Sequence, residues 1–438
     1  MKRRKYLLAC LLAGVTIAMP AGQLSFAAGA QNDISLMAES ESQSETQSES
    51  QSESETQSES QSESQSESET QSESQSESQS ESETQSESQS ESEKESETET
   101  QDPNVPEGYK GIYKVSDLSL LSSKPDGKYM LMADLDLNSA EQASISVFRG
   151  TLDGNNHTIK GLKHALFQVL EEGTVSNLNL SSVQISGSGD AGALANVIGT
   201  GKKSAVTIQN ITITGSVTGT GNTGSLAGVL KGTDIVISRI ANSATVAGTA
   251  NAGGLIGLVQ ATDDQEGAAS VKLTESYNIG EVSAVTAGGL IGAAEIPNLA
   301  AARNIEIANC YNAGVLEKGA NIVAKITAGN GQVVINKCVG IQFYYSVASG
   351  MVGTSTMAAG STQTSGCSIS NSYYYSMNPV YAFETGNCIT GTATALNDVQ
   401  IKTQSYFKDF DFDGIWALNA AENGGYPYLK QTTILPVS

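Results

Sequence analysis

A small residue, a glycine and an aliphatic residue return together four times along the middle of this chain. The copies are Ala191-Gly192-Ala193-Leu194, Thr223-Gly224-Ser225-Leu226, Ala252-Gly253-Gly254-Leu255 and Ala287-Gly288-Gly289-Leu290. Their leucines lie 32, 29 and 35 residues apart. A second series is led by Ile208, Ile237, Leu273, Ile307, Ile335 and Ile369. Two residues after each lead stand Asn210, Arg239, Glu275, Asn309, Lys337 and Asn371, and four residues after three of them stand Tyr277, Tyr311 and Tyr373. Self-similarity at this period signals stacked units rather than one globular core.

The units read as β coils. Short runs of Val, Ile and Thr between Gly, Asn or Asp recur throughout, as in Tyr129-Met130-Leu131-Met132, the stretch from Val175 to Leu180 and the stretch from Val206 to Ile213. Such runs are the signature of many short strands. Each coil then sends alternate aliphatic side chains inward, onto the same position of the coil below. Gly and Asn are expected where the backbone turns with positive φ, and stacked asparagines can bond along the axis as a ladder. Irregular stretches between the motifs, such as 261–269, fit loops pushed out of the stack. The predicted fold is all-β, a right-handed β-helix-like solenoid.

Bare solenoid ends are open sheet edges and need caps. A short amphipathic turn, with Ser116 as its N-cap, is expected to close the N-terminal end within 112–125. The segment 405–430, which holds the single tryptophan (Trp416), is expected to close the other end.

These residues resemble the GLUG-motif proteins, bacterial exported proteins named for a Gly-Leu-aliphatic-Gly core. Gly254-Leu255-Ile256-Gly257 and Gly289-Leu290-Ile291-Gly292 match that core, so Gly254, Leu255, Gly257, Gly289, Leu290 and Gly292 are the repeat-structural residues. Ser225-Leu226-Ala227-Gly228 is a degenerate copy and Ala193-Leu194-Ala195-Asn196 a poorer one. The stretches 133–137 and 148–159 are similar to the segment that precedes such repeats, and Gly425-Tyr426-Pro427-Tyr428-Leu429 to their close. The resemblance implies a β-helix-like solenoid on a surface or secreted protein, with adhesion as the suspected role and no implied reaction. Some relatives carry a metallopeptidase domain that needs His-Glu-x-x-His. Here His157 and His164 are the only histidines and neither is followed by Glu.

The solenoid is expected over 103–438, behind two other segments. Lys2, Arg3, Arg4 and Lys5, the apolar run Tyr6 to Met19 and the small residues Ala28-Gly29-Ala30 read as a signal peptide over 1–30. A loose lipobox ending at Cys10 is the lesser alternative. Residues 31–102 form a Ser/Glu/Gln/Thr linker, predicted to be a disordered acidic stalk because its repeats lack apolar residues to bury. Its serines leave room for glycans or phosphate. The close Leu435-Pro436-Val437-Ser438 begins like a sortase signal and lacks the rest. Release, non-covalent retention and an incomplete sequence all stay open.

The net charge of −23 is concentrated in this stalk, where 20 of the 47 acidic residues lie between Glu39 and Glu99. The remainder presents no basic field, which argues against nucleic acid and anionic membrane as partners. No membrane span is expected after signal removal, and the chain is expected to be secreted or at the cell surface.

Chemistry-bearing candidates are few. Asp153 and His157 offer an acid and an imidazole for work on a saccharide, but Asp153-Gly154-Asn155-Asn156 reads first as a tight turn. Tyr344, Tyr374 and Tyr381 are the candidate ligand-binding residues, since exposed tyrosines stack on sugars or anchor proteins. Core packing is the competing reading for the triplets 343–345 and 373–375. Cys310 and Cys338 occupy one template position, so they form either a thiol stack or a disulfide, with parallel side chains favouring the stack. Cys367 and Cys388 stay open. No catalytic, metal or cofactor motif is read. The sequence reading is therefore a non-catalytic adhesion or ligand-binding protein whose partners are host or microbial glycans or surface proteins. A polysaccharide-degrading β-helix and a passive spacer or coat are the alternatives.

Overall fold

The computed structural model describes residues 102–432, apart from 141–142, 201–202, 263–269, 300–301, 317, 343–346, 377–387 and 431. The signal peptide, nearly all of the acidic stalk and the close 435–438 lie outside the described residues.

The described chain is a parallel β-solenoid. Its strands stack into three parallel sheets of 20, 8 and 5 members, with one separate two-stranded antiparallel pair. The large sheet runs from Lys110–Ile112 to Thr394–Ala395, and the second from Ile145–Phe148 to Val352–Met357. The third takes in only short strands, from Thr223–Gly224 to Val347–Ser349.

The repeat period sets the register. Ile208 pairs with Ile237, Ile237 with Leu273, Leu273 with Ile307, Ile307 with Ile335 and Ile335 with Ile369. All six are buried in one continuous hydrophobic core. The column fills because β-branched and Leu side chains of successive coils sit one above another and exclude water, each worth about 1.5–3 kcal/mol when fully buried.

Two residues after each lead the chain turns a corner in the left-handed region. Asn210, Arg239, Glu275, Asn309, Lys337 and Asn371 all have φ between 45° and 57°. Asn tolerates this conformation, whereas Arg, Glu and Lys take it at a cost of about 1–2 kcal/mol. Stacking of the coils thus overrides local preference at three corners.

The glycines of the Gly-Leu-Ile-Gly core are needed for another reason. None of Gly254, Gly257, Gly289 and Gly292 has positive φ. A Cβ on Gly254 would meet the Gly289 carbonyl oxygen at 2.1 Å and the Asn278 carboxamide carbon at 2.4 Å, and one on Gly289 the Asn321 carbonyl oxygen at 2.1 Å and the Asn312 carboxamide carbon at 2.3 Å. The room goes to a buried polar ladder. Asn242 Nδ2 donates to Asn278 Oδ1 at 2.7 Å, and Asn278 Nδ2 donates to Asn312 Oδ1 at 2.9 Å. Asn312 Nδ2 continues to Asn321 Oδ1 at 3.3 Å, which also accepts from Gln342 Nε2 at 2.6 Å. Leu255 and Leu290, next to these glycines, enter the core.

Both expected caps are placed differently in detail. At the N-terminal end a 3-10 turn (Val115–Leu118) leads into a helical turn (Ser119–Ser123), burying Leu118 and Leu121. Ser116 is not the cap. Asp117 reaches back instead, its Oδ2 accepting from the backbone N–H groups of Tyr113 and Lys114 at 3.0 and 3.2 Å.

The C-terminal segment does not simply sit on the last coil. From the helical turn Asp398–Ile401 onward it folds back as a strap along the flank of the stack. Its Phe407, Phe410, Trp416, Tyr426 and Leu429 join Ala241, Tyr277, Tyr311, Val339 and Tyr373 in a second hydrophobic cluster. Trp416 and Leu429 face each other across the antiparallel pair. An apolar column on the flank of several coils had to be covered, and the aromatic segment covers it.

Candidate functional site

The N-terminal coils give the imidazole that the sequence singled out, His157, a different acid from the one expected. Leu135–Asp136 pairs with Ile159–Lys160 one coil later, which brings Asp134 beside His157. Asp134 Oδ1 accepts from the Thr158 backbone N–H at 2.8 Å and lies 3.0 Å from His157 Nδ1. The Thr158 N–H, then the imidazole, holds the Asp134 carboxyl below its ordinary range. Asp153, the acid chosen from sequence, is not the imidazole's partner. Its Oδ1 accepts from the Asn155 N–H at 2.8 Å and Asn177 Nδ2 at 3.0 Å, while Asn155 and Asn156 take positive φ. The turn reading of 153–156 therefore holds. Asp134 was missed as the partner although it precedes His157 by one coil length.

Alongside, Arg149 bridges two coils. Its Nε lies 2.8 Å from Asp126 Oδ1 and its Nη1 2.9 Å from Glu171 Oε2. An open cavity of about 520 Å3 lies between the loops after Leu137 and after Lys160, lined by Leu137, Ala140, Ser144, Leu162, Lys163 and His164. Lys163 Nζ donates to the Asn138 carbonyl at 3.3 Å, and Ser144 Oγ donates to the Ala165 carbonyl.

Of the three candidate binding tyrosines, Tyr344 and Tyr381 lie outside the described residues. Tyr374 is 5% exposed and packs into the solenoid core. Its ring is not offered to a ligand, because strand alternation sends it inward while Tyr373 on the opposite face packs under the strap. Burial also raises the Tyr374 phenol.

Cys310, Cys338, Cys367 and Cys388 are free and buried. Cys310 and Cys338 belong to one column, with Ser276 below and Ser372 above. Each member donates to the carbonyl two residues before it: Ser276 to Thr274 at 2.7 Å, Cys310 to Ala308 at 3.3 Å, Cys338 to Asn336 at 3.4 Å and Ser372 to Ser370 at 2.9 Å. Thiols here act as larger serines. Burial, followed by the neighbouring Cys338, pushes the Cys310 thiol far above its usual range.

Comparison with known proteins places a family match on these same N-terminal coils. Residues 111–215 match the family described as the M26 IgA1-specific metallo-endopeptidase N-terminal region. An immunoglobulin A1 protease of Streptococcus sanguinis is 34% identical over 116 residues, which is 24% of this chain and 6% of that protein. The chain thus spans only a small part of the length of the curated relatives it matches. Halomucin of Haloquadratum walsbyi is 32% identical over 124 residues, covering 23% of this chain and 1% of halomucin. A crystal structure of a candidate immunoglobulin A1 protease from Bacteroides ovatus is 19% identical, with a TM-score of 0.46 over 74% of this chain and 92% of that one.

The family description names a metal-dependent reaction. Among the described residues no three His, Cys, Asp or Glu side chains converge to hold a metal ion. These residues do not fit a metal centre, and no catalytic step is assigned to them. No helix among the described residues is long and apolar enough to cross a membrane. The expectation of a non-catalytic adhesin is corrected by the matches, because the family that residues 111–215 match and the streptococcal relative are peptidases by name.

Proposed function

We propose that this chain is the β-solenoid region of an exported peptidase system of the immunoglobulin A1 protease type, and that its task there is to hold the immunoglobulin substrate. The observation that carries this reading is the match of residues 111–215 to the N-terminal region of that peptidase family. Those residues include the Asp134–His157 pair, Arg149 with its two carboxylates and the cavity beside His164, so charged groups and a concavity lie within the matched coils. Rigid stacked coils suit such a role, because a solenoid offers an extended face whose side chains are fixed by their neighbours above and below. Peptide hydrolysis itself is not assigned to the described residues, where no three His, Cys, Asp or Glu side chains converge.

A competition assay tests this. An excess of the full chain added to the Streptococcus sanguinis immunoglobulin A1 protease should slow cleavage of immunoglobulin A1 by occupying the same substrate surface. Unchanged cleavage at every concentration of the chain would count against the reading.

A further inference from the structure

In a simple solenoid each coil touches only its neighbours, so terminal coils fray one at a time. The C-terminal strap breaks that rule. Tyr277, Tyr311, Val339 and Tyr373 stand in register on four successive coils. The strap meets this column at several heights. The Tyr373 hydroxyl accepts from the Lys408 N–H at 2.7 Å, and the Tyr373 ring packs on Phe407 and Phe410 at 5.1 and 5.6 Å. Two coils back, Trp416 lies 6.2 Å from Tyr311, and its Nε1 donates to Asn309 Oδ1 at 3.2 Å. One coil further, Thr432 Oγ1 donates to the Glu275 carbonyl at 2.7 Å. Tyr311 itself stacks on Tyr277 at 4.7 Å and 5°.

We propose that the strap is a clasp that makes the four coils from Tyr277 to Tyr373 open and close as one unit, and that its release uncovers their aromatic column. The last coil cannot peel away while Phe407 and Phe410 hold Tyr373. That hold is anchored two and three coils earlier through Asn309 and Glu275. Release at Trp416 therefore loosens the whole block, and the coils N-terminal to Ala241, which the strap does not reach, keep their own stability. The clasp holds the C-terminal half of the stack against local opening and the proteolysis that follows it.

Hydrogen exchange of the full chain, read by mass spectrometry, tests the clasp in two variants. Asn309→Gly keeps the left-handed corner and removes the acceptor of Trp416. Trp416→Ala removes the central ring, and the Gly variant stands in if this one fails to fold. In Asn309→Gly, exchange should quicken together in 270–278, 303–312, 331–342 and 367–374 by roughly fivefold, the scale of one lost hydrogen bond. Exchange in 173–219 should not change. Faster exchange confined to the strap, or to the coil of Tyr373 alone, would overturn the proposal.

Discussion

Asn278 packs directly on Gly254: its carboxamide carbon lies 2.4 Å from where a Cβ on Gly254 would stand, beside the Gly289 carbonyl oxygen at 2.1 Å. The same carboxamide donates to Asn312 Oδ1 and to the Gly280 carbonyl, and it accepts from Asn242. Gly254→Ala should therefore destabilise by about 1–3 kcal/mol through overpacking. Asn278→Leu should cost at least as much, since it takes one ladder hydrogen bond each from buried Asn242 and Asn312 and also those that Asn278 makes with Gly280. Equilibrium denaturation of both variants checks this, and a neutral Gly254→Ala would contradict the close approach.

The left-handed corners predict an unusual pattern of substitutions. Lys337 has φ 55° and Glu275 φ 48°, conformations that a glycine adopts without strain. Lys337→Gly should be neutral or stabilising by up to about 1 kcal/mol, because relief of strain exceeds the entropy that glycine loses. Lys337→Val should destabilise clearly, since a β-branched side chain resists this region. Thermal melts of the pair give the comparison. The opposite ranking would sink the account of the corners.

The cysteine column predicts tolerance to serine. Because Ser276 and Ser372 make the same contact as Cys310 and Cys338, Cys338→Ser should change stability by less than about 1.5 kcal/mol, the range of a single hydrogen bond. Thiol titration should find all of Cys310, Cys338, Cys367 and Cys388 reactive after unfolding without reductant. Loss of two thiols under those conditions would reveal a disulfide.

Alkaline pH should loosen the C-terminal coils. Burial pushes the Cys367 thiol up from 9.0 to about 12. A raised folded-state value means that this thiol's contribution is fully present below pH 9 and is lost as pH rises from there through the folded value. The buried Tyr311 phenol, also raised, acts in the same direction. The melting temperature should fall above pH 9, less steeply in Cys367→Ala. A slope unchanged by that substitution would exclude Cys367 as a cause.

Much of the fold was legible because stacking makes distant sequence positions equivalent. The lead aliphatics from Ile208 to Ile369 pair in the register that their spacing implies, and the residues two positions later turn the corners. The destination of the strap was not legible. Trp416 meets Asn309 across 107 residues, and no periodicity connects a non-repeating segment to one flank of a repeating one. Tyr374 was misread because a tyrosine triplet on a strand gives alternation without saying which face is interior. The partner of His157 was missed for a similar reason: Asp153 is nearer in sequence, and only the coil length brings in Asp134. The role was misjudged because the repeat is a structural motif, which says little about the protein that carries it.

The most direct test of the central claim is equilibrium binding of the full chain to immobilised immunoglobulin A1, with immunoglobulin G as the control surface. The account predicts saturable binding to immunoglobulin A1 alone, weakened by Asp134→Ala or Arg149→Ala on the N-terminal coils and unchanged by Lys337→Gly. No binding to immunoglobulin A1, or equal binding to both immunoglobulins, would contradict it.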